Sequence, residues 1–315
     1  MKKKLFITGG AGFIGSHIVL DALEKGYEVW NIDVLNYASN LSNLDSVKSH
    51  PSYHFIKGDI CNKDLLDEVF HKESFDFVIH LAAETHVDRS ITGPEVFVKT
   101  NVLGTQNLLE CVRKYKTEKF VHVSTDEVYG DLSLTEKAFT ESSFIKPNSP
   151  YSASKAASDL LVRSYIKTYG IDACITRCSN NYGPHQDMSK LIPVIISKAQ
   201  KNEKIPIYGD GQNIRDWLYV KDHVSAIFKI LEKGVSGEVY NIGGDNEQKN
   251  IDLVKMVLAI MGKSEDLIEF VNDRPGHDYR YAIDSSKIQN ELGWKSQQGF
   301  KKLLEETICY YNSEL

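Results

Sequence analysis

Short apolar runs separated by amphipathic stretches set the rhythm of the first half of the chain. Lys4 to Thr8 (KLFIT) reads as a strand, Phe13 to Lys25 as a helix and Glu28 to Asp33 as a second strand. Tyr53 to Lys57 follows as a third strand and Asp64 to Phe70 as a short helix. Phe75 to Ala82 (FDFVIHLA) is a buried strand, and roughly Glu95 to Tyr115 a helix. Phe120 to Ser124 (FVHVS), a long helix over Ser152 to Tyr169 and a strand over Ala173 to Arg177 complete the series. Apolar strands alternating with amphipathic helices predict βαβ units, and so an α/β fold with a doubly wound parallel sheet of the Rossmann type.

After Arg177 the rhythm changes. Loops rich in Asn, Gly and Pro (SNNYGPHQ, YGDGQNIRDW, NIGGDNEQKN, NDRPGHDYR) separate the remaining helices. This predicts a smaller, interleaved α/β substrate-binding domain over 179–315, beside a dinucleotide-binding domain over 1–178. Val239 to Ile242 (VYNI) still has strand character, so the first domain is expected to take a later contribution near 218–245.

Composition narrows the class. The chain has 315 residues, 42% apolar and 25% charged, in the range of an ordinary globular protein with a real core. No apolar stretch is long enough to span a bilayer. The start, MKKKLFITGG, has charge followed by an apolar run, but the run is far too short for a signal peptide and ends in a glycine-rich turn. The five cysteines (Cys61, Cys111, Cys174, Cys178, Cys309) have no metal-site spacing, and reduced thiols in a cytoplasmic protein are expected, with no metal. A net charge of −6 argues against nucleic acid as a partner, though clustered arginines still suit an anionic small ligand.

Thr8-Gly-Gly-Ala-Gly-Phe-Ile-Gly15 follows a strand and opens a helix. Gly9, Gly12 and Gly15 give a tight turn, close backbone approach to a pyrophosphate and close packing of helix on strand, with Phe13 and Ile14 between them. The helix N-terminus offers unpaired N–H groups and a positive dipole end. Asp33 ends the second strand, where a carboxylate accepts hydrogen bonds from both ribose hydroxyls and repels a 2′-phosphate. NAD is therefore the expected cofactor. Asp59-Ile60 suits a contact to the adenine, or a plain turn. Leu81-Ala82-Ala83-Glu84-Thr85, after the fourth strand, would pass under the cofactor.

The tripeptide Thr125-Asp126-Glu127 puts a hydroxyl and two adjacent acids just past an apolar strand. Held in different environments, one acid can keep its proton while its neighbour stays ionised, which yields an acid and a base from similar side chains. Tyr151 and Lys155 are four apart at a helix start and share a face. A lysine ammonium lowers the pKa of a nearby phenol, so Tyr151 becomes a base for a sugar hydroxyl.

The motifs TGGAGFIGS, LAAETHVDRS, STDEVYG, YSASK, SNNYGP and DRPGH stand in an order and spacing that resemble the extended short-chain dehydrogenase/reductase superfamily. More narrowly the chain resembles the dTDP-glucose 4,6-dehydratases, over essentially its whole length. The Thr-Asp-Glu element discriminates, since related epimerases and decarboxylases carry serine and no acid pair there. Two departures are Thr85, where the family has Ser, and a short segment between Gly130 and Pro147. The resemblance implies that Tyr151 removes the C4 hydroxyl proton as hydride leaves C4 for NAD. Glu127 then takes the C5 proton, Asp126 protonates the departing C6 hydroxyl, and hydride returns to C6. Thr125 would bond the C4 oxygen, and Lys155 would also bridge the nicotinamide ribose.

The same resemblance implies further contacts. Leu35, Asn36, Thr100 and Asn181 would join the cofactor site. Thr85 and Asn180 would meet the substrate. Lys190-Leu191 to Pro193, with Pro206 to Tyr208, would line the base and ribose pocket. Arg215, Asn250 and Asp273 to His277, including Arg274, would close over the phosphates. His86 and Arg89 would orient the site or cap the next helix. A homodimer is implied, its helices near Val98 to Val112 and Ser152 to Tyr169 packing against their copies. Two other readings compete. One is a 4-epimerase, or a 4,6-dehydratase of a UDP-, CDP- or GDP-hexose. The other is a non-catalytic dinucleotide sensor. An epimerase needs no proton transfer at C5 or C6, and a sensor need not hold Tyr, Lys and two acids together. The acid pair does not select among nucleotide bases.

Overall fold

A computed structural model describes residues 2–273, 275–297 and 299–314. The first half runs β1 (Lys4–Thr8), α1 (Phe13–Glu24), β2 (Glu28–Asp33), β3 (Tyr53–Lys57), α2 (Lys63–Glu73), β4 (Phe77–His80), α3 (Val87–Thr92), α4 (Glu95–Phe97), a π-helical segment (Val98–Gly104), α5 (Thr105–Tyr115), β5 (Lys119–Thr125), α6 (Pro150–Tyr169) and β6 (Ala173–Cys178). The second half runs β7 (Asn180–Tyr182), α7 (Leu191–Gln200), β8 (Ile205–Tyr208), β9 (Ile214–Tyr219), α8 (Val220–Lys233), β10 (Val239–Ile242), β11 (Glu247–Lys249), α9 (Asn250–Ile260), β12 (Ile268–Val271), α10 (Ser286–Leu292) and α11 (Phe300–Glu314).

Among the described residues a seven-stranded sheet has the order β10-β6-β5-β4-β1-β2-β3. Every neighbouring pair in it is parallel. Helices cover both faces, which is why strands such as β1, β2, β5 and β6 are buried at nearly every position rather than on alternate ones. In β1, Leu5 and Ile7 enter a core with α1 and α8, while Phe6 enters the opposite core with α2, α5 and α6. A third core joins α7, α9 and α11 around Ile195, Leu253 and Leu304. It supports a three-stranded sheet, β11-β9-β7, and a two-stranded one, β12-β8. The chain returns to the large sheet at β10, as its apolar VYNI run indicates. No helix among the described residues is long and apolar enough to cross a membrane.

The helix expected over 95–115 is one continuous rod whose middle, Val98–Gly104, is π-helical. Such segments carry one extra residue per turn and recur at functional sites. Here the segment brings Asn101 onto Ser154 of α6.

Four histidines are buried deeply enough to be held neutral. Burial lowers His17 to about 4, His122 to about 4 and His223 to about 3, and pushes His80 well below its ordinary value. The unfolded chain binds these protons below about pH 6.5, whereas the folded protein refuses them. Stability is therefore present above pH 6.5 and lost as pH falls toward 4, at up to about 1.4 kcal/mol per pH unit for each histidine. Urea titrations across that range should show a steep acid loss of unfolding free energy. A flat profile between pH 6.5 and 5 would contradict the burial of these rings.

Candidate active site

The strand order reverses between β1 and β4, and in such sheets ligands bind beyond the carboxyl ends of the strands at that point. A cavity of about 470 Å³ lies there. Its wall includes Gly9, Gly12, Phe13, Ile14 and Gly15 after β1, Asp33 and Asn36 after β2, and Asp59 and Ile60 after β3. Leu81, Ala82, Ala83 and Thr85 follow β4, Thr100 comes from the π segment, and Asn180, Asn181 and Lys190 follow β6. Thr125, Asp126, Glu127, Tyr151 and Lys155 line the same cavity.

The glycine turn is packed to contact. Gly9 sits at φ +74°, and a Cβ on it would come within 2.9 Å of the Ala82 backbone. A Cβ on Gly15 would lie 2.1 Å from the Gly9 carbonyl oxygen. Helix α1 therefore abuts its own turn, and no side chain caps its N-terminus. Its first amides are available to an anion. Asp33 is buried and already accepts from the Ala11 amide (3.0 Å), the Leu35 amide (2.8 Å) and the Ser39 hydroxyl (2.7 Å). Oδ1 takes two of these bonds and Oδ2 one, so Oδ2 retains capacity for a further donor. This differs from a carboxylate open to two ribose hydroxyls: the loop after β2 and the glycine turn together take three of its roughly four acceptor positions. Leu35 lies outside the cavity wall and contributes its amide. Asp59 lines the cavity and accepts from the Cys61 amide at 2.8 Å, which closes the turn after β3. The donor set fits a dinucleotide.

The acid pair sits where β5 ends. Thr125 caps a 3₁₀ turn over Asp126–Tyr129, accepting from the Glu127 amide at 3.3 Å and donating to Asp126 Oδ1 at 3.3 Å. Asp126 is 2% exposed, and its Oδ2 is buried with no partner. Burial, then the charge of Glu127, then that of Asp216, drive its carboxyl well above the usual carboxylate range, against the pull of Arg215. Asp126 is therefore the neutral acid. Glu127 beside it is half-buried.

Helix α6 begins with Pro150 and a capping box in which Ser149 and Ser152 exchange hydrogen bonds. That start places Tyr151 in the first turn and Lys155 one turn later, both buried. Lys155 Nζ donates to the Val123 carbonyl at 2.8 Å, and burial lowers its pKa to about 8. The Tyr151 phenol is raised well above 10 by burial and by the Glu127 charge, with Thr125 the opposing hydrogen bond. The expected lowering by Lys155 is absent because the ammonium turns to a β5 carbonyl.

Several expected substrate residues stand apart from this cavity: Leu191, Pro206, Tyr208, Arg215, Asn250 and His277 are not in its wall. Leu191 opens α7, Pro206 and Tyr208 face outward on β8, and Asn250 opens α9 with its amide bonded to Asn213. The Tyr208 and His277 rings are 6.1 Å apart, and His277 Nδ1 lies 2.6 Å from Asp273 Oδ1. Arg215 is buried, donating to the carbonyls of Ile214 (2.7 Å), Tyr279 (3.3 Å) and Asp278 (2.8 Å), with its guanidinium over the Tyr281 ring. It reaches the site as a charge felt by Asp126 rather than as an open fork. Arg274 lies outside the described residues. His86 makes no side-chain cap to α3, and Arg89 stacks on Tyr37 instead of capping. The short segment after Gly130 is tied down, with Asp131 accepting from the Tyr279 and Arg280 amides and Phe139 bridging to Ile283.

Sequence reasoning gave no site role to Tyr37, Ser124, Cys178, Gln186 or Asp187, all in the cavity wall, and gave Glu84 only a place in the stretch under the cofactor. It also passed over Asn101, which bonds the Glu84 backbone at 2.8 and 3.0 Å and Ser154 at 2.8 Å. The LAAET motif contains Glu84, but nothing in the spacing marks its partners.

A Rossmann crevice with a tyrosine and a lysine on one helix turn is the framework of short-chain dehydrogenase/reductases. The family model described as GDP-mannose 4,6 dehydratase matches residues 6–307. The dTDP-glucose 4,6-dehydratase of Neisseria meningitidis serogroup B is 47% identical, over 98% of this chain and 93% of that protein. That of Haemophilus influenzae is 49% identical, over 98% and 97%. The crystal structure of the dTDP-glucose 4,6-dehydratase DesIV from Streptomyces venezuelae, with NAD bound, superposes with a TM-score of 0.95 at 45% identity, covering 98% of this chain and 97% of that one. A UDP-glucose 4-epimerase from Thermotoga maritima gives 0.93 at 30% identity, covering 99% of both chains. The chain belongs to the dTDP-glucose 4,6-dehydratase family.

A neutral Asp126 has a spectroscopic signature. The infrared difference spectrum between the protein and its Asp126→Asn variant at pH 7 should contain the carbonyl stretch of a protonated carboxylic acid. A carboxylate pair of bands alone would contradict the assignment.

Proposed function

We propose that the protein converts dTDP-glucose to dTDP-4-keto-6-deoxyglucose, as a hydro-lyase with NAD as resident cofactor. The observation that carries this is the unequal burial of two adjacent acids on the cavity that also holds Tyr151 and Lys155. Bound NAD would supply the hydride acceptor for C4, a positive ring charge that favours a phenolate, and the hydride returned to C6. The glycine turn, the α1 amides, Asp33, Asn36, Thr100 and Asn181 would hold it.

The chain's own groups divide the proton work. Tyr151 takes the proton of the C4 hydroxyl, and Thr125 bonds the same oxygen. With C4 a ketone, the C5 hydrogen is acidic, and the half-buried Glu127 removes it; a proton returns to C5 when the hydride is delivered to C6. Asp126, neutral because it is buried beside Glu127, gives its proton to the C6 hydroxyl so that water leaves. Positioned transfers of this kind contribute about 10²–10⁴-fold each. Lys155 keeps a cation within the site and fixes the register of α6 against β5. An epimerase has no use for two acids in different protonation states.

Thr85, Asn180 and Lys190 are assigned to the hexose and phosphates. Leu191, Pro206, Tyr208, Arg215, Asn250, Arg274 and His277 are assigned to the nucleotide end, reached if the second lobe moves over the ligand. The cofactor half is assigned to 1–178, with α8 and β10 adding to it near 218–245, and the substrate half to 179–315. A homodimer is also proposed. Val98 and Leu103 on the α4–α5 rod and Leu160 on α6 are 56%, 45% and 55% exposed, an apolar surface on the two helices expected to pair. All five cysteines are unpaired, as suits a cytoplasmic enzyme.

Incubation with dTDP-glucose should give a product lighter by one water, and in D₂O that product should carry deuterium at C5. Replacing Asp126 and Glu127 together by Asn and Gln should lower turnover by at least about 10³-fold, since two positioned transfers are lost. Unchanged turnover would overturn the assignment of roles. For the dimer, Leu160→Glu should halve the mass measured by sedimentation. A wild-type protein that sediments as a monomer at micromolar concentration would refute it.

A further inference from the structure

The loops after β2 and β4 are joined across the crevice by side-chain contacts that no step above uses, although Asn36 itself is assigned to the cofactor site. Asn36 Nδ2 donates to Glu84 Oε1 at 2.9 Å, and the Tyr37 hydroxyl donates to Glu84 Oε2 at 3.0 Å. The Arg89 guanidinium lies 3.5 Å from the centre of the Tyr37 ring, a close cation–π contact. In the sheet, β1 lies between β2 and β4. A bridge from the β2 loop to the β4 loop must therefore pass in front of the glycine turn that follows β1. Asn36, Tyr37 and Glu84 all belong to the cavity wall, so the bridge closes the cavity rather than tying loops elsewhere.

Glu84 is not a loose anchor. Asn101, 1% exposed in the π segment, holds both its amide and its carbonyl, and donates to the Ser154 hydroxyl, next to Lys155. One chain of bonds thus runs from the redox helix through Ser154, Asn101 and Glu84 to Tyr37. Both oxygens of the Glu84 carboxylate are occupied by donors from one loop, and charge-assisted bonds of this type are the strong ones.

We propose that Tyr37, Asn36, Arg89 and Glu84 form a clasp over the dinucleotide, and that opening the Tyr37–Glu84 bond governs how fast the cofactor leaves. The proposal rests on the NAD assignment above. It makes these side chains positioning residues that retain the cofactor through a reaction in which the cofactor ends as it began.

The test uses the full chain loaded with radiolabelled NAD, diluted into excess unlabelled NAD, with retained label followed in time. Tyr37→Phe and Glu84→Ala should each release label about tenfold faster, the size expected for losing one bond to a charged group. The double variant should release no faster than Glu84→Ala, because both changes remove the same contact. The rate of NAD association should change less than the rate of release. Release unchanged in Tyr37→Phe, or effects that multiply in the double variant, would overturn the clasp. Should Glu84→Ala fail to fold, Tyr37→Phe alone still decides, since it removes one exposed-edge oxygen. Wild-type protein that retains no label at all would instead refute the NAD assignment.

Discussion

The carboxyl of Asp126 is shut away from water just past the interior strand β5, with an ionisable neighbour, Glu127, beside it. Two such groups cannot both be charged in so small a volume without a large desolvation penalty. One must stay neutral, and burial selects Asp126. The rest of the site serves that asymmetry. Thr125 caps the turn that holds the pair, while Arg215 and Asp216 set the field around it from β9. Tyr151 feels the charge of Glu127 as well, which raises its phenol in the free protein and makes a positive partner necessary before it can work as a base.

The parallel sheet gives this constraint its address. All the chemical groups follow the carboxyl ends of strands, where loops are free to vary while the sheet stays fixed. Beneath them lies a layer of buried polar groups joined by hydrogen bonds. Thr8 and Thr105 flank His80 at 2.7 and 2.9 Å, and Arg177 donates to Asp159 at 2.9 Å behind α6. Breaking a buried pair such as Arg177–Asp159 costs about 3–5 kcal/mol by leaving one charge uncompensated. These bonds tie the strands and α6 together beneath the crevice.

Much of this was legible in residue order alone. The strand–glycine–helix opening, Asp33 at the end of β2, Tyr151 and Lys155 on one turn and the return of the chain at VYNI all rest on local periodicity or spacing. Other features do not. The π-helical turn at Val98–Gly104 depends on Asn101 finding Glu84 and Ser154, partners seventeen and fifty-three positions away. The orientation of Lys155 toward Val123 follows from how α6 docks on β5. Arg215 reads as an open phosphate ligand until the carbonyls of Asp278 and Tyr279 are seen to claim it. In each case a long-range contact decides what a side chain is free to do.

One crevice is proposed to take a hydride from C4 of the hexose and give the same hydride back at C6, with Asp126 and Glu127 removing water in between. Substrate carrying deuterium at C4 tests this directly. The account predicts that the deuterium appears at C6 of the product, in the same molecule it left. Deuterium lost to solvent, or still at C4 after turnover, would contradict it.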